Sequence, residues 1–307
     1  MPNNPTTPQP FTDIPNNSWI DNWLPASWGP YAKSMRLDRP IGIWLLLIPG
    51  LWSIAMASLP NEIWRLSAVF FLGAVFMRAA GCIYNDLVDI DIDRKVARTQ
   101  LRPIASGELP VKNAIVMGLI LLMLSLMLLV TLGKVAIFLG FFVLIPVMFY
   151  PALKRITYYP QLMLGIAFNW GALMAWAACH VRLSTTAFLL YGAGICWTMI
   201  YDTIYAHQDK EDDLLVGVKS TALKFGDYTP HVLLGFTLLM FLCLYVAGIR
   251  EELLSYYFLA IWLCCAATAC QVIYLNYDDP ADCLKAFKRQ AYAGWLVLAG
   301  IVFGRFM

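Results

Sequence analysis

Apolar stretches long enough to cross a lipid bilayer follow one another almost without pause along this chain. A helix of about 20 apolar residues spans the roughly 30 Å hydrocarbon core. Nine intervals meet or approach that length: 37–58, 64–84, 113–132, 135–151, 160–180, 185–206, 230–249, 253–275 and 288–305, the fourth being short. Of 307 residues, 60% are hydrophobic and 14% are charged, a balance outside the soluble range. The expectation is an all-α, polytopic membrane protein of nine transmembrane helices.

The net charge of +2 is the remainder of 22 cations against 20 anions, which gives no footing for nucleic-acid binding. Most of the eight cysteines lie in or beside apolar runs, where a thiol acts as a small hydrophobe, and their spacing matches no disulfide framework or metal motif. Residues 1–30 are rich in Pro and Asn, with no cation before Lys33. That fits neither a signal peptide nor an Arg-rich transit peptide. A flexible tail is expected there, with Trp19, Trp23 and Trp28 at the lipid interface, followed by a single membrane domain over 31–307.

With nine spans, one side of the membrane receives Lys33, Arg36, Arg39, Arg94, Lys95, Arg98, Arg102, Lys112, Lys154, Arg155, Lys210, Lys219, Lys224, Lys285, Lys288 and Arg289. The other receives Arg65, Lys134, Arg182, Arg250 and Arg305. The positive-inside rule makes the first side cytoplasmic. The N-terminus and the two long polar connections, 85–112 and 207–229, then share that side. The missing transit pattern points to a bacterial cell inner membrane. Arg78 remains inside a span, where a cation is costly and pairs with an internal acid or substrate.

Each long connection opens on carboxylates. In "NDLVDIDID", continuing the preceding helix at about 100° per residue puts Asn85, Asp86, Asp89 and Asp93 at about 0°, 100°, 40° and 80°, on one face, with Asp91 behind. In "YDTIYAHQDKEDD", Asp202, Asp209 and Asp213 form a stripe only about 40° wide, with Tyr205 beside it. Two carboxylates about 4 Å apart repel by on the order of 4 kcal/mol at an effective dielectric near 20. A divalent cation removes that cost, and Mg²⁺ favours one or two carboxylates plus substrate phosphate. Two such stripes imply two Mg²⁺ ions bridged by a diphosphate. Arg94, Lys95, Arg98 and Arg102 trail the first cluster and Lys210 and Lys219 the second, where they suit phosphate oxygens.

These two stretches resemble the paired motifs N-D-x-x-D-x-x-x-D and D-x-x-Y-x-x-x-D-x-x-x-D of the UbiA superfamily of intramembrane aromatic prenyltransferases. Within it, "RLDRPIGIWLLLIPGLW", "FMRAAGCIYNDLVDIDIDRKVARTQLRPIASGEL" and "YPALKRITYYPQLMLGIAFNWG" resemble the branch that prenylates 4-hydroxybenzoate for ubiquinone. The resemblance implies a nine-helix bundle whose central cavity is capped by cytoplasmic loops, taking a polyprenyl diphosphate and a small aromatic acid. Asn85, Asp86 and Asp89, with Asp93 close by, would carry one metal, and Asp209 and Asp213 the other. Asp202 would orient or deprotonate the phenol, with Tyr205 near the diphosphate. Arg36, Arg39 and Arg155 are candidates for the acceptor carboxylate, the resemblance favouring Arg155 and Arg39. A sibling acceptor (homogentisate, a naphthoate or haem) is the alternative within the class. A transporter is the alternative outside it, but it would scatter its acids near mid-membrane rather than cluster them at one interface.

Overall fold

The structure is a computed structural model that describes residues 18–95, 99–180, 182–210, 214 and 217–307; of Pro151, Ala152, Lys154 and Arg155 it describes the backbone. Among these, the regular elements are all helical. Helix occupies each of the nine apolar intervals. Six helical stretches have the length and apolarity to cross a membrane: Ile63–Val88, Val111–Leu129, Pro160–Cys179, Thr185–His207, Thr221–Arg250 and Ser255–Tyr274. The chain forms two compact units, one drawn from Met1–Pro40 and Phe76–Leu124, the other from Ile41–Val75 and Ser125–Met307.

In the first unit, α1 (Trp19–Trp23) and α2 (Gly29–Ser34) lie within and just after the segment expected to be a tail. The Asp21 carboxylate accepts from the Ser18 amide at 3.0 Å, a donor that the helix start leaves open, and from the Ser18 hydroxyl at 2.8 Å. The three tryptophans keep exposed faces. Ala79, Ala80 and Ile83, with Ile104, Leu109, Ala114 and Leu121, make this unit's core.

The second unit is built from α3 (Ile41–Ala57), the start of the helix that follows it, and the apolar helices after Val111–Leu129. Lipid offers no water to backbone or indole groups, so each must find a partner inside the protein. Buried Trp52 donates its indole N–H to the Gly294 carbonyl at 3.0 Å, and Trp197 donates to Gln290 Oε1 at 3.1 Å. Gln290 in turn donates to Gln271 Oε1 at 2.6 Å. Gly300 and Gly304, one turn apart, face Tyr257 and Ala260, where an added Cβ would come within 2.6 Å of Ala260 Cβ or 2.7 Å of Tyr257 Cβ. Small residues at this spacing let membrane helices approach closely.

Arg305 closes the end of α3: its guanidinium donates to the Ala55 carbonyl at 2.7 Å and the Ser58 carbonyl at 2.9 Å. The last carbonyls of a helix lack intrahelical partners, and a cation there also meets the negative end of the helix dipole. Arg305→Ala is expected to cost about 1.5–3 kcal/mol, read as a lower unfolding midpoint in detergent.

Candidate active site

In the first unit, α4 (Ile63–Val88) carries Asn85 and Asp86 on its last turn. Asp89, with φ −99° and ψ 12°, separates it from α5 (Ile90–Asp93). The hydrogen-bond ladder continues through this jog, from the Asp89 amide to the Asn85 carbonyl at 2.9 Å and from the Asp93 amide to the Asp89 carbonyl at 2.8 Å. The acidic face is thus carried across the break. Asp86 and Asp93 are buried, Asn85 and Asp89 half-buried, and Asp91 exposed.

Two arginines meet at Asp86. Arg36 Nη2 donates to Asp86 Oδ1 at 2.7 Å. Arg102 Nη1 lies 3.3 Å from the same oxygen and 2.8 Å from Asp93 Oδ2, bridging the two carboxylates. Asp86 Oδ2 is buried with no hydrogen-bond partner among the described residues.

Local structure places both arginines. Helix α2 ends in a Schellman motif, with the Leu37 amide donating to the Ala32 carbonyl at 3.1 Å and the Arg36 amide to the Lys33 carbonyl at 3.0 Å. Arg36 fills the left-handed position of that motif with φ +57°, where glycine is the usual residue. Arg102 caps the N-terminus of α6 (Pro103–Ser106), which turns off at Gly107 with φ +85°. That connection is fastened to α5 by Arg94 Nε donating to the Ala105 carbonyl at 3.1 Å and by the Thr99 hydroxyl donating to the Asp93 carbonyl at 3.0 Å. Arg94 therefore also staples the loop, and Lys95 is exposed.

Arg39 lies 3.3 Å from Asp38, whose side chain is 1% exposed. Asp38 belongs to no helical stripe of acids, and its one mark in the sequence is its place between two cations in "RLDRP". Arg78 is half-buried on α4.

In the second unit, α12 (Thr185–His207), the twelfth helix among the described residues, carries Asp202 and Tyr205. It stops at His207, so Asp209 stands on the following turn and not on a continuous helical stripe. Acids oppose the negative C-terminal end of the helix dipole, and Asp209 opens a run dense in them. Asp213 and Arg98 lie outside the described residues, as does the side chain of Arg155.

Lys210 lies 3.8 Å from Asp278. Lys219 donates to the Ile156 carbonyl at 3.0 Å and sits 5.3 Å from the centre of the Tyr158 ring, at the end of the helix Leu144–Ile156. Its ammonium caps that end. A ladder of rings runs along α12, with centroids 4.8 Å apart for Tyr205 and Phe287, 5.9 Å for Phe287 and Tyr201, 5.3 Å for Tyr201 and Trp197, and 5.5 Å for Trp197 and Trp52. His207 is buried, 3.0 Å from the Thr229 hydroxyl and against the Tyr277 ring.

Among the described residues, no three His, Cys, Asp or Glu side chains gather as a metal-binding group. The donor chemistry of the first cluster still fits a hard divalent cation. Three carboxylates and an amide supply oxygen ligands of the kind Mg²⁺ takes, and Asp86 keeps one buried oxygen without a hydrogen bond.

The UbiA prenyltransferase family model matches residues 46–303. A Drosophila melanogaster protein called 4-hydroxybenzoate polyprenyltransferase, mitochondrial, is 48% identical over 279 residues, covering 90% of this chain and 71% of that one. Proteins of the same name from Arabidopsis thaliana and Homo sapiens are 44% identical, covering 94% and 90% of this chain and 72% and 75% of their own. A structure of a digeranylgeranylglyceryl phosphate synthase aligns with TM-score 0.68 at 19% identity, covering 91% of this chain and 98% of that one. An Archaeoglobus fulgidus UbiA homologue bound to GPP and Mg²⁺ aligns with TM-score 0.66 at 16% identity, covering 89% and 99%. At those identities the two structures speak for the fold.

The relatives also correct one expectation. They are mitochondrial proteins, which overturns placement in a bacterial cell inner membrane; what stands is a multi-pass membrane protein. Cation bias reports which face of a bilayer a loop occupies, and the same bias arises in either compartment. The family match covers 46–303, most of the chain, and identities of 44–48% extend over at least 90% of it: this protein belongs to the UbiA prenyltransferase family.

Proposed function

We propose that this chain transfers a polyprenyl group from polyprenyl diphosphate to the ring carbon of 4-hydroxybenzoate ortho to the hydroxyl, releasing diphosphate, with Mg²⁺ as cofactor. The observation that carries this reading is the 44–48% identity, over at least 90% of the chain, to proteins named for that activity. The domain over 31–307 is then a single transmembrane prenyltransferase domain of nine spans.

Asn85, Asp86, Asp89 and Asp93 would hold one ion, and Asp209 and Asp213 a second. Bound there, Mg²⁺ supplies positive charge to the diphosphate oxygens as the leaving group departs. Arg94, Lys95, Arg98, Arg102, Lys210 and Lys219 add charge-assisted hydrogen bonds to the same oxygens. The allylic carbon–oxygen bond breaks with its electron pair leaving on diphosphate. The ring carbon attacks the allylic centre, and loss of its proton restores aromaticity. Asp202 orients or deprotonates the phenol, and Tyr205 lies near the diphosphate. Of the three candidate cations for the acceptor carboxylate, Arg36, Arg39 and Arg155, we favour Arg155 and Arg39, since a carboxylate suits a bidentate guanidinium and Arg36 is held on Asp86.

An acceptor panel with one prenyl diphosphate in purified membranes tests this reading. Prenylated 4-hydroxybenzoate is the expected main product, formed only with Mg²⁺ present; preferential prenylation of homogentisate or a naphthoate would replace it. Arg155→Ala is expected to raise the KM for the aromatic acid by on the order of tenfold or more, the cost of an unpaired charged hydrogen bond, while leaving that for the diphosphate nearly unchanged. An unaltered KM for the acid would remove Arg155 from the acceptor site.

A further inference from the structure

We propose that Arg36 and Arg102 form a guanidinium latch on Asp86 that a divalent cation must displace, making Arg36 a positioning residue that couples metal binding to diphosphate binding. The inference rests on the metal role proposed for Asp86. Both guanidinium groups approach one oxygen, Oδ1, at 2.7 and 3.3 Å, while Oδ2 is buried without a hydrogen bond among the described residues. Among the described residues, the carboxylate is therefore neutralised at Oδ1, while Oδ2 keeps its acceptor capacity.

A dication at Oδ2 would stand beside two guanidinium charges in a site where Asp86 is only 1% exposed, and such repulsion is poorly screened there. Full engagement of the arginines and occupancy by metal therefore oppose each other. Diphosphate resolves the conflict, because its oxygens accept the planar guanidinium fork that leaves Asp86. Metal without diphosphate should bind weakly, and each ligand should strengthen the other by the same factor.

The backbone supports a dedicated role for Arg36. Its φ of +57° lies in a region that residues other than glycine avoid. Nothing in the turn itself calls for arginine, because glycine meets the Schellman geometry without steric cost. What this position delivers is a guanidinium that donates to Asp86 on one side and to the Lys33 carbonyl at 3.2 Å on the other. An outlier at such a place is a pointer to function.

The test uses the purified full-length protein, with Mn²⁺ as the probe followed by electron paramagnetic resonance, with and without inorganic pyrophosphate. Asp86→Ala identifies the site by abolishing the protein-bound Mn²⁺, read as the free-ion spectrum no longer falling when protein is added. Arg36→Gln is expected to bind Mn²⁺ at least about tenfold more tightly than the unaltered protein when pyrophosphate is absent, and to gain less from its addition. Arg36→Gly should behave alike, and it removes the guanidinium while relieving the backbone, so a poorly folded Arg36→Gln protein does not block the measurement.

Equal or weaker Mn²⁺ binding in a folded Arg36 variant would overturn the latch. So would the absence of any Asp86-dependent Mn²⁺ site in the unaltered protein. The two readings can fail separately: tighter Mn²⁺ binding in the variants alongside no prenylation of 4-hydroxybenzoate would leave the latch standing and sink the proposed activity.

Discussion

Asp86→Ala is expected to lower prenyl transfer in Mg²⁺-supplied membranes by on the order of a thousandfold or more. Metal stabilisation of a departing anion is worth several kcal/mol, and each 1.4 kcal/mol is a factor of ten in rate. The effect should be large because Asp86 is the most buried carboxylate of its cluster and the meeting point of Arg36 and Arg102. Removing it takes away an oxygen ligand and leaves two guanidinium groups without their shared acceptor. Asp209→Ala should behave similarly if the second motif holds its own ion. Asp91→Ala is the control, since that side chain is 87% exposed and turned to solvent; it should retain near-normal turnover. Product formation surviving in both Asp86→Ala and Asp209→Ala would end the metal assignment.

Gly194→Val is expected to destabilise the second unit by about 1–3 kcal/mol or more, the usual cost of overpacking a tight core. A Cβ at Gly194 would collide with the side chain of Asn169, approaching its Cγ to 2.6 Å. Asn169 is fully buried and cannot swing aside without loss. Its amide nitrogen donates to the Gly165 carbonyl at 2.7 Å and to the Thr198 hydroxyl at 2.7 Å, and Thr198 donates to the Tyr201 hydroxyl at 2.9 Å. This network ties the break between Pro160–Phe168 and Trp170–Cys179 to α12, the helix that bears Asp202 and Tyr205. Moving Asn169 would strand buried donors, which costs about as much as the collision. The unfolding midpoint in detergent checks the prediction. Adding Asn169→Ala to Gly194→Val should recover part of the loss, since contacting residues couple; fully additive losses would show that the collision is not the cause.

Much of this architecture is legible along the chain because a bilayer imposes its thickness on sequence. Apolar runs near the span length became helices, and the long carboxylate-bearing connections fall at helix ends. The face shared by Asp86 and Asp93 could be read from the pitch of a helix, because the hydrogen-bond ladder survives the jog at Asp89. Continuing α12 through Asp209 failed, since helical geometry extrapolates only as far as the helix lasts. Lys219 follows an acidic cluster along the chain, but its bond to the end of Leu144–Ile156 carries no mark in the sequence and comes from folding alone. Asp38, hidden between two arginines, gave no periodic signal at all.

The sequence by itself determined what is local or set by the solvent: an all-helical chain with spans of bilayer length, carboxylates gathered on helix ends, and residue patterns specific enough to identify the family. Only the tertiary structure decided which cation meets which acid. Arg36 and Asp86 are 50 positions apart, and Arg102 lies 16 positions beyond Asp86. Hydrophobic length and helical pitch act between near neighbours, whereas an ion pair across such distances exists only once a left-handed turn and a capped short helix have brought the groups within a few ångströms. Pairing of that kind depends on three-dimensional closure, and no periodicity along a chain encodes it.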